Sequence, residues 1–303
     1  MSTDNLPGWT THVHEPGCGP GARIAVAVTD GRTHSGDPTF IVAQGFKSWI
    51  ETFELQRFQR IARMLHARLI ISETPGFGAP GSRLLPGERQ KLLGGDFGAV
   101  ATRMFAAAVA DLDGESDRTL SFLGYSMGAS VATAMAKAAA AQGWAVNSLV
   151  LVEPVALRKW RLWRLIATIA RENRWLADYL AANEAVDGAV TPWDQRPGVR
   201  PPTRRRLDLL VLGAAVRRGA LARDLHTVVT PRQVVIVRGD RSEISRGRSH
   251  PILTAMRGRG VATAELSVPG PHAFWQSLPA VEAMTRHLDT LLERPDQLPS
   301  SKR

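Results

Sequence analysis

Apolar residues follow two alternating spacings along the chain. Short apolar runs predict strands at residues 22–29, 39–43, 69–72, 120–123, 148–152, 233–237 and 263–268. Between these runs, apolar residues recur every three to four positions, which predicts helices at residues 48–68, 88–112, 127–142, 251–257 and 274–292. The alternation predicts an α/β fold with a mostly parallel central sheet and helices on both faces. Turn-forming residues at 31–38 lead us to expect a hairpin between the first two strands.

The alternation is interrupted at residues 156–230, where only helical spacing is found. This segment is rich in Trp and Arg, and a Pro-rich loop at residues 191–203 divides it. Its apolar positions form one stripe at helical spacing, composed of Trp160, Trp163, Leu165, Ile166, Ile169, Leu176, Tyr179 and Leu180. We therefore predict an α/β core formed by residues 1–155 and 231–303, and a helical insertion at residues 156–230.

Composition places the chain among ordinary globular proteins. It has 303 residues, of which 44% are hydrophobic and 22% charged, so extensive disorder is excluded. Its single cysteine, Cys18, excludes an internal disulfide. The longest apolar runs are far shorter than the roughly 20 residues that cross a bilayer, and the N-terminus lacks the pattern of a secretory signal. A cytoplasmic protein without a transmembrane segment is expected.

The formal net charge is +10 and the isoelectric point is about 10.8, values that raise nucleic acid or an anionic surface as partners. Only five of the 38 basic residues are lysine, however. Such an arginine excess is typical of GC-rich coding sequence, and the Trp residues lie on the apolar stripe, where stacking on bases would compete with packing. No specific nucleic-acid partner is therefore expected.

A motif for nucleophilic catalysis stands at residues 124–128, where Gly-Tyr-Ser-Met-Gly fits G-x-S-x-G. This pattern marks a tight strand-to-helix turn that exposes the serine hydroxyl, here that of Ser126. The flanking sequence fits, since a predicted buried strand precedes the motif and a helix of small residues follows it. Patterns for a phosphate-binding loop or a zinc site are absent from the sequence, so no metal and no cofactor are expected.

With this motif, the chain resembles the α/β-hydrolase superfamily from about residue 22 to residue 293. The resemblance implies an oxyanion hole formed by the backbone N–H groups of Phe46 and Met127. Gln44 replaces the histidine that commonly precedes the glycine of that loop in the family. The resemblance also makes residues 156–230 a helical cap, or lid, over the nucleophile.

The family order of serine, acid and histidine requires a late histidine as the base. His272 directly follows the last predicted strand and matches that position. For the acid, Glu243 is the first choice, because Ser242-Glu243 matches a variant of the family pattern after the strand at residues 233–237. Asp240 is the second choice. Glu153 is the third, because some members take the acid from the preceding strand.

These residues predict a metal-independent serine hydrolase that cleaves a carboxylic ester or thioester through an acyl-enzyme intermediate. A small-molecule ester or acyl substrate is expected, and the cap stripe either packs on the core or partly lines a pocket for an apolar acyl chain. In the second case the cap arginines face an anionic surface or an acidic group of the substrate. The alternatives are a C–C bond hydrolase, an acyltransferase, or a catalytically silent module that binds an acidic partner through its basic cap. The oligomeric state stays open.

Overall fold

The computed structural model describes residues 8–16, 22–112, 118–183, 189–228, 231–247 and 249–293, so Cys18 lies outside the described residues. The strands are β1 Thr10–His14, β2 Ile24–Asp30, β3 Thr39–Ala43, β4 Arg68–Ser72, β5 Phe77–Gly78, β6 Thr119–Tyr125, β7 Ala145–Val152, β8 Thr203–Arg204, β9 Gln233–Gly239 and β10 Ala262–Val268. The α-helices are α1 Thr52–Met64, α2 Pro86–Leu93, α3 Gly98–Val109, α4 Gly128–Ala141, α5 Leu162–Arg174, α6 Leu176–Ala182, α7 Arg206–Arg217, α8 Leu221–Thr227, α9 Ser249–Arg257 and α10 Leu278–Glu293. Short 3-10 helices span Ala110–Leu112, Val155–Leu157, Trp193–Gln195 and His272–Gln276.

Eight strands form the central sheet in the order β1-β2-β4-β3-β6-β7-β9-β10. Strand β2 pairs antiparallel with both β1 and β4, and every other neighbouring pair is parallel. The predicted α/β fold with a mostly parallel sheet is confirmed. Because β6, β7 and β9 are adjacent and parallel, the loops after these three strands emerge side by side at one edge of the sheet.

Two layers of helices cover the sheet, as the alternation of buried side chains along each strand requires. In β9, Val234 and Ile236 face one apolar cluster, to which α3, α4, α8 and α9 contribute. Val235 and Val237 face the other cluster, formed with α1 and α10. Within the described residues, no helix is both long enough and apolar enough to cross a membrane.

Two local predictions from the sequence are wrong. Strands β2 and β3 do not form a hairpin, because β4 inserts between them and pairs with both. Apolar strands buried on both faces carry no signal of which strand lies beside them. The helix predicted at residues 88–112 is two helices, α2 and α3, because Gly95 adopts a φ of 86° and Asp96 accepts a hydrogen bond from the N–H of Gly98 to start the second helix.

Residues 156–230, for which we predicted only helices, contain α5 to α8 and also the short strand β8, which pairs antiparallel with β5. Helix α7 packs against α2, whereas α8 packs against α4 and α9. Leu221 and Leu225 of α8 are fully buried in the same cluster as α4. The end of the inserted segment therefore contributes to the core layer, and the domain boundaries at residues 155 and 231 remain predictions.

Candidate active site

Ser126 lies in the turn between β6 and α4, in a strained backbone conformation with a φ of 57°. Its N–H donates to the carbonyl oxygen of Val152 over 2.8 Å. A Cβ atom on Gly128 would collide with the carbonyl oxygen of Ala43, and one on Gly124 would collide with the backbone of Gly128. Both glycines of the motif are therefore required for the helix to pack this closely on the sheet, and the turn they permit presents Oγ of Ser126 to the cavity.

His272 lies at the start of the 3-10 helix after β10, and its Nε2 is 3.1 Å from Oγ of Ser126. The imidazole stacks on the ring of Tyr125, with 5.8 Å between ring centroids. The Tyr125 hydroxyl donates to the carbonyl oxygen of His272. Burial raises the pKa of Tyr125 well above its ordinary value, so this hydroxyl stays a neutral donor. Sequence reasoning placed both Ser126 and His272 here, and the structure brings them together.

Glu153 directly follows β7, and its Oε2 lies 2.7 Å from Nδ1 of His272. The side chain is fully buried, and the residue has a φ of 51°. Its N–H donates to the carbonyl oxygen of Val237, which ties the residue to β9. The carboxylate also accepts hydrogen bonds from the N–H of Gly239 and, over 2.7 Å, from Oγ of Ser242. These bonds satisfy a buried charge and favour the tautomer in which Nδ1 of His272 donates and Nε2 accepts.

The structure does not bring the first two candidate acids to His272. The Glu243 carboxylate is partly exposed and pairs with the Arg171 guanidinium over 2.5 Å. The Asp240 carboxylate accepts from the N–H of Gly270 over 2.8 Å and so braces the loop that carries the histidine. Of the three candidate acids, the structure therefore places Glu153, the third choice, beside His272, and not Glu243 or Asp240. Ser242, the other residue of the Ser242-Glu243 pair, donates its hydroxyl to the Glu153 carboxylate.

The loop after β3 carries the expected oxyanion donor. Phe46 and Met127 line the same cavity as Ser126. The Gln44 side chain is buried, and its Nε2 donates to the carbonyl oxygen of Trp49 over 3.0 Å, so it fixes the loop from within. A Cβ on Gly45 would lie 3.0 Å from the Tyr125 ring, which explains the need for glycine in this loop. Gln44, which replaces the common histidine, thus stabilises the loop through this hydrogen bond.

Known proteins share this arrangement of strands and helices. The family model described as Thioesterase domain matches residues 56–164, a segment that contains Ser126 and Glu153. The thioesterase domain from the curacin biosynthetic pathway is 16% identical, with 94% of this chain and 99% of that chain covered and a TM-score of 0.56. A hyperthermophilic esterase from the archaeon Pyrobaculum calidifontis is 17% identical, with 95% and 86% covered and a TM-score of 0.60. A hydrolase from Pseudomonas aeruginosa is 18% identical, with 93% and 97% covered and a TM-score of 0.55.

The chain has the fold of the α/β-hydrolase superfamily. The structural likenesses, at these low identities, show the fold, and together with the family match they support an esterase-like hydrolase of that fold. No curated protein sequence matches the chain.

The cavity of this α/β-hydrolase lies between the elbow and the inserted helices, with a volume of about 520 Å³. Its wall is mostly apolar and includes Phe46, Val155, Leu165, Ile169, Leu209 and Ile244. Besides Ser126 and His272, its polar or charged wall residues are Glu172, Asn173 and Arg217. Leu165 and Ile169 belong to the predicted apolar stripe, so part of that stripe faces the cavity. Trp163 and Ile166 of the same stripe are exposed.

A basic cleft adjoins the cavity of this α/β-hydrolase. We use this name for the groove lined by Arg158, Lys159, Arg161, Arg164, Arg217 and Arg218. Two further arginines that line it pair with carboxylates, Arg171 with Glu243 and Arg223 with Asp224. Among the described residues that line the cleft, none is acidic. Arg217 and Leu162 line both the cleft and the cavity, so the two spaces are adjacent.

Sequence reasoning missed the buried groups that hold the 3-10 helix carrying His272. Arg57 of α1 is buried and donates from Nε to the carbonyl oxygen of Trp275 over 2.8 Å, and Glu54 accepts from the Trp275 indole N–H. Burial lowers the pKa of Arg57 to about 10. In the sequence, the signal for this support is that two charged residues, Glu54 and Arg57, stand among the apolar positions of α1. Glu172 of α5, also missed, contacts the backbone of His272 itself over 2.8 Å.

Proposed function

We propose that this α/β-hydrolase cleaves an ester or thioester with Ser126 as nucleophile, His272 as general base and acid, and Glu153 as the orienting carboxylate. The observation that carries the proposal is the continuous set of hydrogen bonds from Oγ of Ser126 to Nε2 of His272, at 3.1 Å, and from Nδ1 of His272 to Glu153, at 2.7 Å. A serine hydroxyl is a weak nucleophile unless a base accepts its proton, and this arrangement supplies the base.

In the first half of the reaction, Oγ of Ser126 attacks the carbonyl carbon of the substrate while its proton passes to Nε2 of His272. The N–H groups of Phe46 and Met127 stabilise the negative oxygen of the tetrahedral intermediate. The buried negative charge of Glu153 stabilises the imidazolium that forms. Nε2 of His272 then gives its proton to the departing alkoxide or thiolate, which leaves as an alcohol or thiol and gives an acyl ester on Ser126.

In the second half, a water molecule replaces the leaving group. Nε2 of His272 accepts a proton from the water as its oxygen attacks the acyl ester, and the same oxyanion donors act again. Collapse of the intermediate releases the carboxylic acid, and the proton on His272 returns to Oγ of Ser126. The cycle consumes one water molecule and restores the starting state of all three side chains.

The walls of the cavity favour an apolar acyl group. Leu165 and Ile169 of α5 and Leu209 of α7 face the space next to Ser126. A cavity of about 520 Å³ lies within the range of sites that take small molecules. Each apolar carbon buried on binding contributes favourably, so a medium-length acyl chain fits this space better than an acetyl group.

The basic cleft favours an anionic leaving group. It shares Arg217 with the wall of the cavity, and it presents Lys159 and Arg161 without a carboxylate among the described residues lining it. The arginine fork binds phosphate oxygens in pairs. We therefore propose a thioester whose leaving group carries a phosphate, in keeping with the match to the Thioesterase domain model.

A comparison of leaving groups tests this substrate class. We expect kcat/KM to be about tenfold or more higher for an acyl-coenzyme A than for the N-acetylcysteamine thioester of the same acyl chain, and the difference to shrink as salt is added. Arg161→Glu should remove most of the difference, whereas Arg63→Glu, at an exposed arginine of α1, should keep it. Equal rates for the two thioesters would refute the role of the cleft.

Labelling with a fluorophosphonate tests the catalytic proposal without knowledge of the substrate. We expect a covalent adduct on Ser126 of the folded wild-type protein and none on Ser126→Ala. The alternative is a catalytically silent module that binds an acidic partner through its basic cleft. Folded protein that resists labelling and hydrolyses no model ester would favour that alternative.

A further inference from the structure

Glu172 is a buried carboxylate that the inserted segment places against the catalytic loops. It lies near the C-terminal end of α5, and only 4% of its surface is exposed. Its Oε2 accepts from the N–H of His272 over 2.8 Å. Its Oε1 accepts from the N–H groups of Glu243 and Ile244 over 2.8 and 3.2 Å. One side chain therefore joins the loop after β9 to the loop after β10.

These two loops carry the groups that define the site. The loop after β9 contains Ser242, which donates to Glu153, and the loop after β10 begins the segment that carries His272. The hydrogen bonds from Glu172 are charge-assisted, which makes them stronger than bonds between neutral groups. The carboxylate thus fixes the distance between the support of Glu153 and the backbone of His272.

The charge of Glu172 also acts on the imidazole. The ionisable groups packed around His272 are Glu153 after β7, Tyr125 in β6 and Glu172 in α5, with Arg217 of α7 on the cavity wall. Burial raises the pKa of Glu172, while its hydrogen bond from the His272 N–H and the nearby imidazole lower it. Favourable interaction between two groups is mutual, so an ionised Glu172 favours the protonated imidazole.

We propose that Glu172 is a positioning residue, through which the inserted segment holds His272 in place and stabilises the imidazolium formed during catalysis. The proposal rests on the proposed function. It assigns to α5 a part in the reaction, in addition to its part in lining the cavity.

The test compares fluorophosphonate labelling rates of Ser126 across pH in wild type, Glu172→Gln and Glu172→Asp. In Glu172→Gln we expect the rate to fall about 10- to 100-fold, because the amide loses the charge and turns an N–H group toward an N–H donor. We also expect the acidic limb of the pH profile to move to lower pH, because the imidazolium loses a neighbouring negative charge. Glu172→Asp keeps the charge, so its acidic limb should stay closer to that of wild type.

Glu73→Gln is the matched control. Glu73 is also a buried carboxylate that accepts backbone N–H bonds, from Ile50 and Ala79, and its raised pKa results from burial opposed by those two bonds. We expect its acidic limb to match that of wild type. Two results with a folded Glu172→Gln protein, as judged by its melting transition, would refute the positioning proposal. One is a lower labelling rate with the acidic limb at the wild-type pH. The other is a labelling rate and an acidic limb that both match those of wild type. Wild type that fails to label at Ser126 would instead refute the proposed function.

Discussion

Oε2 of Glu153 lies 2.7 Å from Nδ1 of His272, although 118 residues separate the two along the chain. Glu153 follows β7, which lies between the elbow strand β6 and β9 in the sheet. The ends of β7 and β9 adjoin, and the N–H of Glu153 donates to the carbonyl oxygen of Val237 in β9. A carboxylate that follows β7 and a carboxylate that follows β9 therefore lie close to each other. The backbone at Glu153, with a φ of 51°, turns its side chain toward the histidine.

This geometry predicts which carboxylate is needed for activity. Glu153→Gln should lower kcat by about a thousandfold or more, because the imidazole loses the charge that orients it and stabilises its protonated form. Glu243→Gln and Asp240→Asn should each keep kcat within about tenfold of wild type, because Glu243 pairs with Arg171 and Asp240 braces the backbone of Gly270. Steady-state hydrolysis of a p-nitrophenyl ester measures all three. Collapse of activity in Glu243→Gln with an active Glu153→Gln would reverse the assignment.

Ser126 and His272 should behave as one catalytic unit. Ser126→Ala and His272→Ala are each expected to abolish esterase activity, and the double variant is expected to be no slower than either single variant. The melting temperatures should change little, because neither side chain holds the apolar core. Losses that multiply in the double variant would show that the two residues act independently.

The sequence predicted the elements of the sheet well, because each strand and helix carries its own periodicity. It also singled out Ser126 and His272, which lie in contact in the structure, because the elbow is a local motif and the histidine directly follows a strand. Which strands lie next to each other in the sheet was harder to predict. The hairpin between β2 and β3 was wrong, since the position of β4 between them depends on packing rather than on local pattern.

The ranking of the candidate acids differs from the geometry for the same reason. Both Glu153 and Glu243 follow parallel strands at the correct edge of the sheet, so spacing alone does not separate them. What separates them is the environment: Glu153 is fully buried and bonded to Ser242, whereas Glu243 is partly exposed and paired with Arg171. Glu172 carried no signal at all, because its partners are backbone N–H groups from two distant loops.

Burial of Glu73 predicts a dependence of stability on pH. Its pKa is raised from 4.5 to about 7, so the folded protein binds a proton here more tightly than the unfolded chain does. That contribution to stability is fully present below the unfolded pKa and is lost as pH rises through 7. We expect the free energy of unfolding of wild type to fall by about 3 kcal/mol relative to Glu73→Gln between about pH 4 and pH 8.

Urea unfolding of wild type and Glu73→Gln across this pH range measures the difference. Glu15→Gln, at a partly exposed carboxylate paired with Arg23, is the control and should not reproduce this loss of stability as pH rises through 7. A difference between wild type and Glu73→Gln that is constant with pH would contradict the raised pKa.

The apolar cavity predicts control of acyl-chain length by α7. Gly213 lines the cavity, and a Cβ placed there would approach no atom outside its own helix more closely than Cζ of Phe46, at 4.0 Å. Gly213→Leu should therefore fit the fold and fill part of the space. We expect kcat/KM for a dodecanoyl ester to fall about tenfold or more while that for a butyryl ester stays within about twofold. Gly87→Leu, at an exposed position of α2, should change neither value, and a uniform loss for both esters in Gly213→Leu would contradict the pocket assignment.

Rapid-quench mass spectrometry of the protein during turnover of a p-nitrophenyl acyl ester tests the central claim most directly. The account predicts a burst of p-nitrophenol together with a mass increase of one acyl group, located on Ser126 by peptide mapping and missing from Ser126→Ala. Turnover without an acylated protein, an acyl group on a different residue, or undiminished hydrolysis by Ser126→Ala would contradict the account.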